Sequence, residues 1–362
     1  PRRPTTKQEV RKNRKTDILV LIIFYFKHNS AFSSRLTENC GVVTTPPDSV
    51  ISERILNGTN ATPGAWPWMV EILEGRRHHC GGALISSQHV LTSAHCLTHS
   101  PKESFTVLLG RYSRTKREEE EREQRIKTIC MHPQFVDGKF EADIAIITLE
   151  IPVECSQTIK TVCLPDINDN PDCDVPMYVA GWGFTEPVMW NNQSWSKYEE
   201  GFGTGEDMIP VNFGSENESQ ETEDGSEYDE DYYDPSAAPV YEANNTIPDM
   251  LQQARVQLIP NEECDKLYND SSLHGNIVCA MHDFGSVCKG DSGGPLVFKR
   301  NDGRWTLMGL ITATEMPCNV THLPMYFVRI RPFMEEFILP CVQNPSNCTC
   351  KPENDTKSCI YN

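Results

Sequence analysis

The sequence predicts an all-β fold, either a sandwich or a barrel, over roughly residues 55–339. Short apolar runs alternate with turn residues along this region, for example at Phe105–Leu109, Ala145–Leu149 and Leu307–Ile311. Regularly spaced short strands with turn signals are typical of all-β domains. The chain has 362 residues, which is enough for one large domain or two modest ones.

The first 33 residues are interpreted as a secretory signal peptide. Seven basic residues lie within residues 2–15, followed by the apolar run Ile18–Phe26 and the mostly small residues 30–34. That order is typical of a signal peptide. The apolar run is far shorter than the roughly 20 residues that a membrane anchor needs. A nucleic-acid patch is the remaining alternative for the basic cluster, and the adjoining apolar run disfavours it.

The cysteines and the glycosylation sequons agree with a secreted, extracellular glycoprotein. Fifteen cysteines are too many for a typical cytosolic protein of this size and indicate an oxidising compartment with disulfides. Asn-X-Ser/Thr sequons accept N-linked glycans in secreted chains. They lie at Asn57, Asn60, Asn192, Asn217, Asn244, Asn269, Asn319, Asn347 and Asn354.

An acidic insertion over residues 187–243 accounts for most of the net charge of −18. Between Ser196 and Ser236 it contains fourteen acidic residues and one lysine, a net charge of −13. Such a segment buries too little apolar surface to offset its ordering entropy, so it is expected to be disordered. Its tyrosines among acids, 227–234, resemble tyrosine-sulfation sites, which would give it a basic protein partner. A solvated spacer is the favoured alternative.

Four short motifs carry the chemistry. A serine lies among glycines in Cys288–Pro295, a histidine in Thr92–Cys96, an aspartate in the apolar stretch Asp143–Ile146, and a possible processing site in Arg54–Gly58. In this order and with these flanks, the chain resembles the chymotrypsin/trypsin family of serine proteases. The resemblance implies two six-stranded antiparallel β-barrels with a short C-terminal helix and an active site in the cleft between the barrels.

The resemblance assigns roles residue by residue. Ser292 would attack the substrate carbonyl, His95 would take its proton and pass it to the leaving amine, and Asp143 would orient the histidine. The backbone N–H groups of Gly290 and Ser292 would form the oxyanion hole. The substrates would be polypeptides, serpins or other serine protease inhibitors would inhibit the enzyme, and no cofactor is expected.

Activation would follow cleavage after Arg54 by a trypsin-like protease. The freed α-amino group of Ile55 would pair with Asp291 and complete the oxyanion hole. Residues 34–54 would form a light chain that stays attached through a disulfide between Cys40 and Cys163, as in chymotrypsinogen. The protease domain would then span residues 55–339.

The resemblance implies three further disulfides: Cys80–Cys96, Cys264–Cys279 and Cys288–Cys318. Seven cysteines remain, namely Cys130, Cys155, Cys173 and four in a tail over residues 340–362: Cys341, Cys348, Cys350 and Cys359. Because seven is odd, one thiol is free or pairs with another chain. Cys130 is expected to be buried, and a bond from Cys155 or Cys173 to the tail is plausible. Metal binding by the tail is disfavoured, since no histidine lies near it.

The specificity pocket departs from the family pattern. Its base is Ser286, which lacks the carboxylate that binds basic residues in trypsin-like members. The expected walls are Thr314 and Met325, Thr312 is also expected to bind substrate, and Ala313 replaces a common tryptophan. These walls predict small or medium apolar residues at P1, the substrate residue before the cleaved bond, or else a closed pocket. A calcium site is not expected, since Arg111 takes the first ligand position.

The sequence therefore predicts a secreted serine endopeptidase made as a zymogen. The alternative is a protease-fold binding or regulatory protein that keeps the triad but turns over little substrate. The intact triad and the Arg54–Ile55 junction favour the enzyme, whereas Ala313, Thr314 and Met325 favour the binding protein.

Overall fold

The structure is a computed structural model that describes residues 40–47, 59–184, 247–268, 275–281, 287–314 and 324–343. All of these residues belong to one compact unit. The expected signal peptide, the Arg54–Ile55 junction, the insertion over 187–243, Ser286, Cys318 and the tail beyond Gln343 lie outside the described residues.

The first sheet has seven antiparallel strands and is built entirely before residue 150. The strands are β2 (Met69–Glu74), β3 (Arg77–Leu84), β4 (His89–Thr92), β5 (Phe105–Leu109), β6 (Arg122–Gln124), β7 (Ile126–Met131) and β8 (Ala145–Leu149). Their order across the sheet is β6-β5-β2-β3-β4-β8-β7. Because β5 also lies beside β7, the sheet curls upon itself.

The second sheet closes into a six-stranded antiparallel barrel. The strands are β1 (Thr59–Asn60), β9 (Met177–Gly181), β10 (Gln252–Leu258), β11 (Ile277–Met281), β12 (Pro295–Lys299), β13 (Trp305–Thr314) and β14 (Met325–Arg329). The order around the barrel is β10-β11-β14-β13-β12-β9, and β9 pairs back to β10. The short β1 pairs with β10 from outside the barrel. A helix, Asn261–Tyr268, connects β10 towards β11.

The predicted fold class is confirmed. Phe105–Leu109 and Ala145–Leu149 are strands with these bounds, and Leu307–Ile311 lies inside β13. A half-barrel of antiparallel strands is followed by a barrel that strand pairing closes completely. The first sheet ends on β6 and β7, which do not pair with each other.

An aromatic cluster packs residues of the first half of the chain against the second barrel. The rings of Trp66 and Trp305 lie 5.1 Å apart and nearly perpendicular, and Tyr178 lies 5.2 Å from Trp305 in the same edge-to-face manner. Trp66 donates its indole N–H to the side-chain oxygen of Gln253 at 2.7 Å. Edge-to-face pairs add about 0.5–1.5 kcal/mol each beyond area burial, so this cluster fixes how the two halves pack.

A short C-terminal helix follows the last strand, as expected. A turn at Arg331–Phe333 and a π-helical turn at Met334–Ile338 lead into the helix Leu339–Gln343. Cys341 is buried in the core there, and its sulfur lies 3.9 Å from that of Cys130 in β7. Both cysteines are disulfide-bonded. The helix therefore continues the folded unit past Leu339.

Three of the four disulfides implied by the family resemblance are formed: Cys40–Cys163, Cys80–Cys96 and Cys264–Cys279. Cys288 is disulfide-bonded, but the expected partner lies outside the described residues. Cys155 is an exposed free thiol and Cys173 a partly buried one. The suggested bond from either of them to the tail is therefore wrong in this structure, because each sulfur stays unbonded.

The Cys40–Cys163 bridge ties the segment 40–47 to the folded unit. Gly41 adopts a φ of 65°, donates its N–H to the carbonyl of Thr161 and accepts the N–H of Trp305. A Cβ atom at Gly41 would lie 2.3 Å from the carbonyl oxygen of Trp305, so only glycine fits.

Within the described residues, no helix has the length and apolar character needed to cross a bilayer.

Candidate active site

His95 and Asp143 are brought together by adjacent strands of the first sheet. Thr92, the last residue of β4, pairs with Ala145, the first residue of β8. His95 lies on the one-turn helix Ala94–Leu97 that follows β4, and Asp143 comes just before β8. The Nδ1 atom of His95 lies 2.6 Å from Oδ2 of Asp143, and the backbone N–H of His95 donates to Oδ1 at 2.8 Å.

Asp143 is almost fully buried and holds the histidine in one orientation. Burial alone lowers the pKa of His95, but the Asp143 carboxylate, with a smaller contribution from Asp137, outweighs it and raises the pKa. A carboxylate at Nδ1 fixes the proton on that nitrogen and leaves Nε2 free to accept one. The pair therefore has the geometry of a general base.

Thr312 completes the hydrogen bonding of Asp143. Its hydroxyl donates to Oδ2 of the carboxylate, and its side chain is buried. The register of β13 against β14 shifts between Ile311 and Ala313, and such a bulge re-aims the side chain of the extra residue. Thr312 was predicted among the substrate-binding residues. In the structure its side chain is directed at the carboxylate instead.

Ser292 lies on a tight loop between Cys288 and β12. Its carbonyl accepts the N–H of Gly81 at 2.8 Å, and the N–H of Gly294 reaches back to the Asp291 carbonyl at 2.9 Å. Gly293 has a φ of 77°, and a Cβ atom there would lie 2.2 Å from the hydroxyl of Thr92. The glycine is therefore needed for this loop to pack against the end of β4.

The histidine loop and the serine loop meet at one backbone carbonyl. The Ser93 hydroxyl donates to the carbonyl oxygen of Ile311 at 2.9 Å, and the N–H of Gly293 donates to the same oxygen at 2.7 Å. Ser292 is partly exposed, and its hydroxyl makes no hydrogen bond to His95 in this structure. Such bonds are often long before substrate is bound.

Asp291 turns away from the cleft into the protein. Its two carboxylate oxygens accept the N–H groups of Gly183 at 2.8 Å and Cys288 at 2.9 Å. Burial raises the pKa of Asp291, and these hydrogen bonds, together with the charge of His78, oppose the rise. Asp291 thus occupies a fully buried position beside Gly183, while Arg54 and Ile55 lie outside the described residues.

Met325, an expected wall of the specificity pocket, is buried in the structure. Met325 pairs with Thr314 across β13 and β14, so the two expected wall positions face each other. The side chain of Met325 is 1% exposed, and its sulfur accepts the backbone N–H of Val287 at 3.3 Å. Val287 directly follows Ser286, the expected pocket base. The Met325 side chain therefore fills space beside the backbone of Val287, and Ala313 is partly buried beside the core.

Comparison with known proteins gives the family. A family model described as Trypsin matches residues 55–199 and 211–335. The mouse protein Chymotrypsin-C is 30% identical over 305 residues, which is 82% of this chain and 91% of the mouse protein. The rat Chymotrypsin-C is 30% identical over 299 residues, or 80% of this chain and 89% of the rat protein. This chain belongs to the chymotrypsin/trypsin family of serine proteases.

Membership of a serine endopeptidase family gives the cleft its context. The family match begins at Ile55, where the sequence analysis begins the protease domain.

Cys80, His95 and Cys96 bring metal-ligating atoms within 4.8 Å of one another. Because Cys80 and Cys96 are bonded to each other, their sulfurs are not thiolates and the group is not a metal site. Arg111, which takes the first calcium-ligand position of the family pattern, forms an ion pair with Glu71 at 2.9 Å.

Sequence reasoning missed three polar residues around the serine loop: Ser93, Glu71 and His78. Ser93 holds the shared Ile311 carbonyl, while Glu71 and His78 form a buried pair behind Gly290. Ser93 lies inside the recognised motif Thr92–Cys96, and His78 lies two residues before Cys80 of an expected disulfide, so their positions were a usable signal. Glu71 gave one too, because a single acid between Val70 and Ile72 is unusual in an apolar strand.

Proposed function

We propose that this chain is a secreted serine endopeptidase that is made as a zymogen and activated by cleavage after Arg54. Ser292, His95 and Asp143 are its catalytic residues, and it prefers small or medium apolar residues at P1. The observation that carries the proposal is the buried Asp143 carboxylate, 2.6 Å from Nδ1 of a histidine whose loop shares a backbone acceptor with the serine loop.

The chemistry follows from these contacts. His95, oriented by Asp143, takes the hydroxyl proton of Ser292 as the oxygen attacks the substrate carbonyl, and returns it to the leaving amine. The raised pKa of His95 favours the protonated form that the second step needs. The N–H groups of Gly290 and Ser292 stabilise the oxyanion, typically by about 3–4 kcal/mol per donor.

The buried Asp291 supports activation by cleavage. Within the described residues its carboxylate is hydrogen-bonded only by two backbone N–H groups, and the charge of His78 acts on it without a hydrogen bond. A buried carboxylate is costly without a cation in direct contact. A new α-amino group at Ile55 would supply that cation. The Cys40–Cys163 bridge would keep the light chain, residues 34–54, attached afterwards.

Met325 supports the preference at P1. Its side chain occupies space against Val287 that a large P1 side chain would need. Small or medium apolar residues are left as the best fit, and the neutral Ser286 gives no attraction for lysine or arginine. The side chain of Thr314, the opposite wall position, lies outside the described part.

Labelling with a fluorophosphonate serine probe tests the enzyme directly, because the probe needs the nucleophile and the oxyanion hole but not a filled P1 pocket. The samples are the secreted zymogen, the Arg54-cleaved protein, and the cleaved Ser292→Ala variant. An Arg54→Gln variant treated with the same activating protease is the matched control. The proposal expects labelling only after cleavage and only with Ser292 present. Absence of labelling after confirmed cleavage contradicts it.

A protease-fold binding or regulatory protein is the second candidate, and the buried Met325 favours it. If the pocket is closed to every side chain, the cleft binds no extended substrate productively. An extended peptide library distinguishes the two functions, since the enzyme shows a P1 preference and the binding protein shows none.

The remaining proposals concern secretion, the insertion and inhibitors. The formed disulfides support an oxidising compartment, so the chain is proposed to be extracellular. We propose a basic protein partner for the acidic insertion, and deletion of residues 196–236 tests this. If the kinetics and the partner binding are both unchanged by the deletion, the proposal is contradicted. Serpin-type inhibitors are expected to trap the cleaved form only.

A further inference from the structure

A buried carboxylate and a buried histidine stand directly behind the serine loop. Glu71 lies in β2 with no exposed surface, and the side chain of His78 in β3 is 2% exposed. Nδ1 of His78 lies 2.8 Å from Oε1 of Glu71, and Nε2 lies 2.9 Å from the carbonyl oxygen of Gly290. The histidine thus connects an acid of the first sheet to a residue of the serine loop in the second half of the chain.

The two contacts fix the protonation state of His78. A carboxylate oxygen and a carbonyl oxygen are both acceptors, so each ring nitrogen must carry a proton for both hydrogen bonds to exist. His78 is therefore an imidazolium in this arrangement. Loss of one proton breaks either the bond to Glu71 or the bond to Gly290.

Glu71 is held ionised by its neighbours. Burial raises the pKa of Glu71, but the hydrogen bond and charge of His78, followed by the charges of Arg111 and Arg114, outweigh it and lower the pKa. Arg111 lies 2.9 Å and Arg114 3.2 Å from the carboxylate. A buried charge is tolerated only with such partners.

Other charged groups also face His78. Asp291 acts on it as an anion, which favours the imidazolium, while His79 lies close enough to interact and, with the two arginines, opposes it. The arginine segment is itself anchored: the N–H of Arg114 donates to the carbonyl of Asp249 at 2.8 Å. The Glu71 carboxylate in direct contact is thus the anion that holds the ring.

The bond from His78 constrains Gly290. Gly290 has a φ of 97°, a conformation that few residues other than glycine adopt. A Cβ atom there would lie 3.0 Å from Nε2 of His78, so the ring is packed against the backbone. Holding the Gly290 carbonyl restricts the peptide unit next to the N–H that the proposed oxyanion hole uses.

We propose that Glu71 is a positioning residue, which keeps His78 as an imidazolium so that the ring fixes the Gly290 carbonyl and with it the oxyanion-hole loop. The proposal rests on the proposed function for its catalytic consequence. The contacts themselves do not depend on activity, and they are measured separately.

Ring ¹⁵N NMR of the Ser292→Ala protein tests the protonation state without any activity. The His78 signals are identified by their loss in a His78→Gln variant. We expect both ring nitrogens to be protonated at pH 7, and Glu71→Gln to convert the ring to its neutral form. Glu123→Gln, which removes an exposed acid of β6, is the control and should change nothing. A neutral His78 in the Ser292→Ala protein with Glu71 intact overturns the proposal. This outcome does not require that Glu71→Gln folds.

Kinetics of the Arg54-cleaved protein test the consequence. We expect Glu71→Gln to slow fluorophosphonate labelling by about 10- to 100-fold, less than the loss of a whole oxyanion donor, and to lower kcat with little change in KM. Glu123→Gln should match the unmutated protein in labelling rate, kcat and KM.

The outcomes separate the two proposals. If the unmutated cleaved protein does not label, the proposed function fails and NMR alone decides the role of Glu71. If it labels and Glu71→Gln labels at the same rate with the same kcat, the role of Glu71 is refuted while the enzyme stands.

Discussion

Shortening Met325 should open the specificity pocket to large side chains. The methionine is almost fully buried, so Met325→Gly removes a whole side chain from beside Val287 and frees its N–H. An aromatic P1 side chain buries roughly 150–250 Å², which at about 25 cal/mol/Å² is about 4–6 kcal/mol at most. Because the new pocket has an imperfect shape, we expect about 2 kcal/mol, or roughly a 30-fold rise in kcat/KM for phenylalanine over alanine at P1.

The assay is a matched pair of peptide substrates that differ only at P1, used with the Arg54-cleaved protein. Met325→Gly should also cost about 2–5 kcal/mol of stability, as large-to-small core changes do, so Tm is measured beside activity. Met177→Ala is the control, because Met177 is a fully buried methionine of the same core and should destabilise without altering the P1 ratio. An unchanged ratio in folded Met325→Gly would refute the assignment of Met325 as the occupant of the pocket.

Burial lowers the pKa of His89 from 6.5 to about 4, so the unfolded state binds more protons between those values. The free energy of unfolding should therefore fall by about 3 kcal/mol as pH drops from 6.5 to 4. Urea unfolding should show this loss in the unmutated protein and not in His89→Gln. Thr312→Val, which removes the hydroxyl bound to Asp143, should lower kcat/KM about tenfold, whereas Thr312→Ser should retain activity. Maleimide should modify Cys155 faster than Cys173, because only Cys155 is exposed, and Cys155→Ser should abolish the fast phase without affecting fluorophosphonate labelling.

Much of the fold could be predicted because its signals are local. Phe105–Leu109 and Ala145–Leu149 are runs of apolar and β-branched residues with strand propensity, and their bounds are found in the structure. The disulfides at Cys163, Cys96 and Cys279 came from the family resemblance rather than from spacing. Neither kind of reasoning could locate Cys130 beside Cys341, since 211 residues separate them.

The site was harder to predict where it depends on register. The position of Thr312 follows from a bulge between Ile311 and Ala313, and a one-residue slip in a strand sends a side chain to the opposite face. The sequence therefore pointed to Thr312, but its contact with the Asp143 carboxylate depends on the strand register. Glu71 also depends on tertiary packing, because His78 in β3 together with Arg111 and Arg114 makes a buried acid stable in β2.

The serine loop is held at several points by separate parts of the chain, which bears on how specificity and catalysis can vary. The N–H of Val287 bonds to Met325, the carbonyl of Gly290 to His78, and the N–H of Gly293 to the carbonyl of Ile311. Met325→Gly removes only the first of these contacts, which lies at the pocket end of the loop. The remaining contacts still restrain the loop around Ser292, so the P1 preference can change while fluorophosphonate labelling stays nearly constant. Loss of labelling in folded Met325→Gly would mean that the pocket and the nucleophile are mechanically coupled.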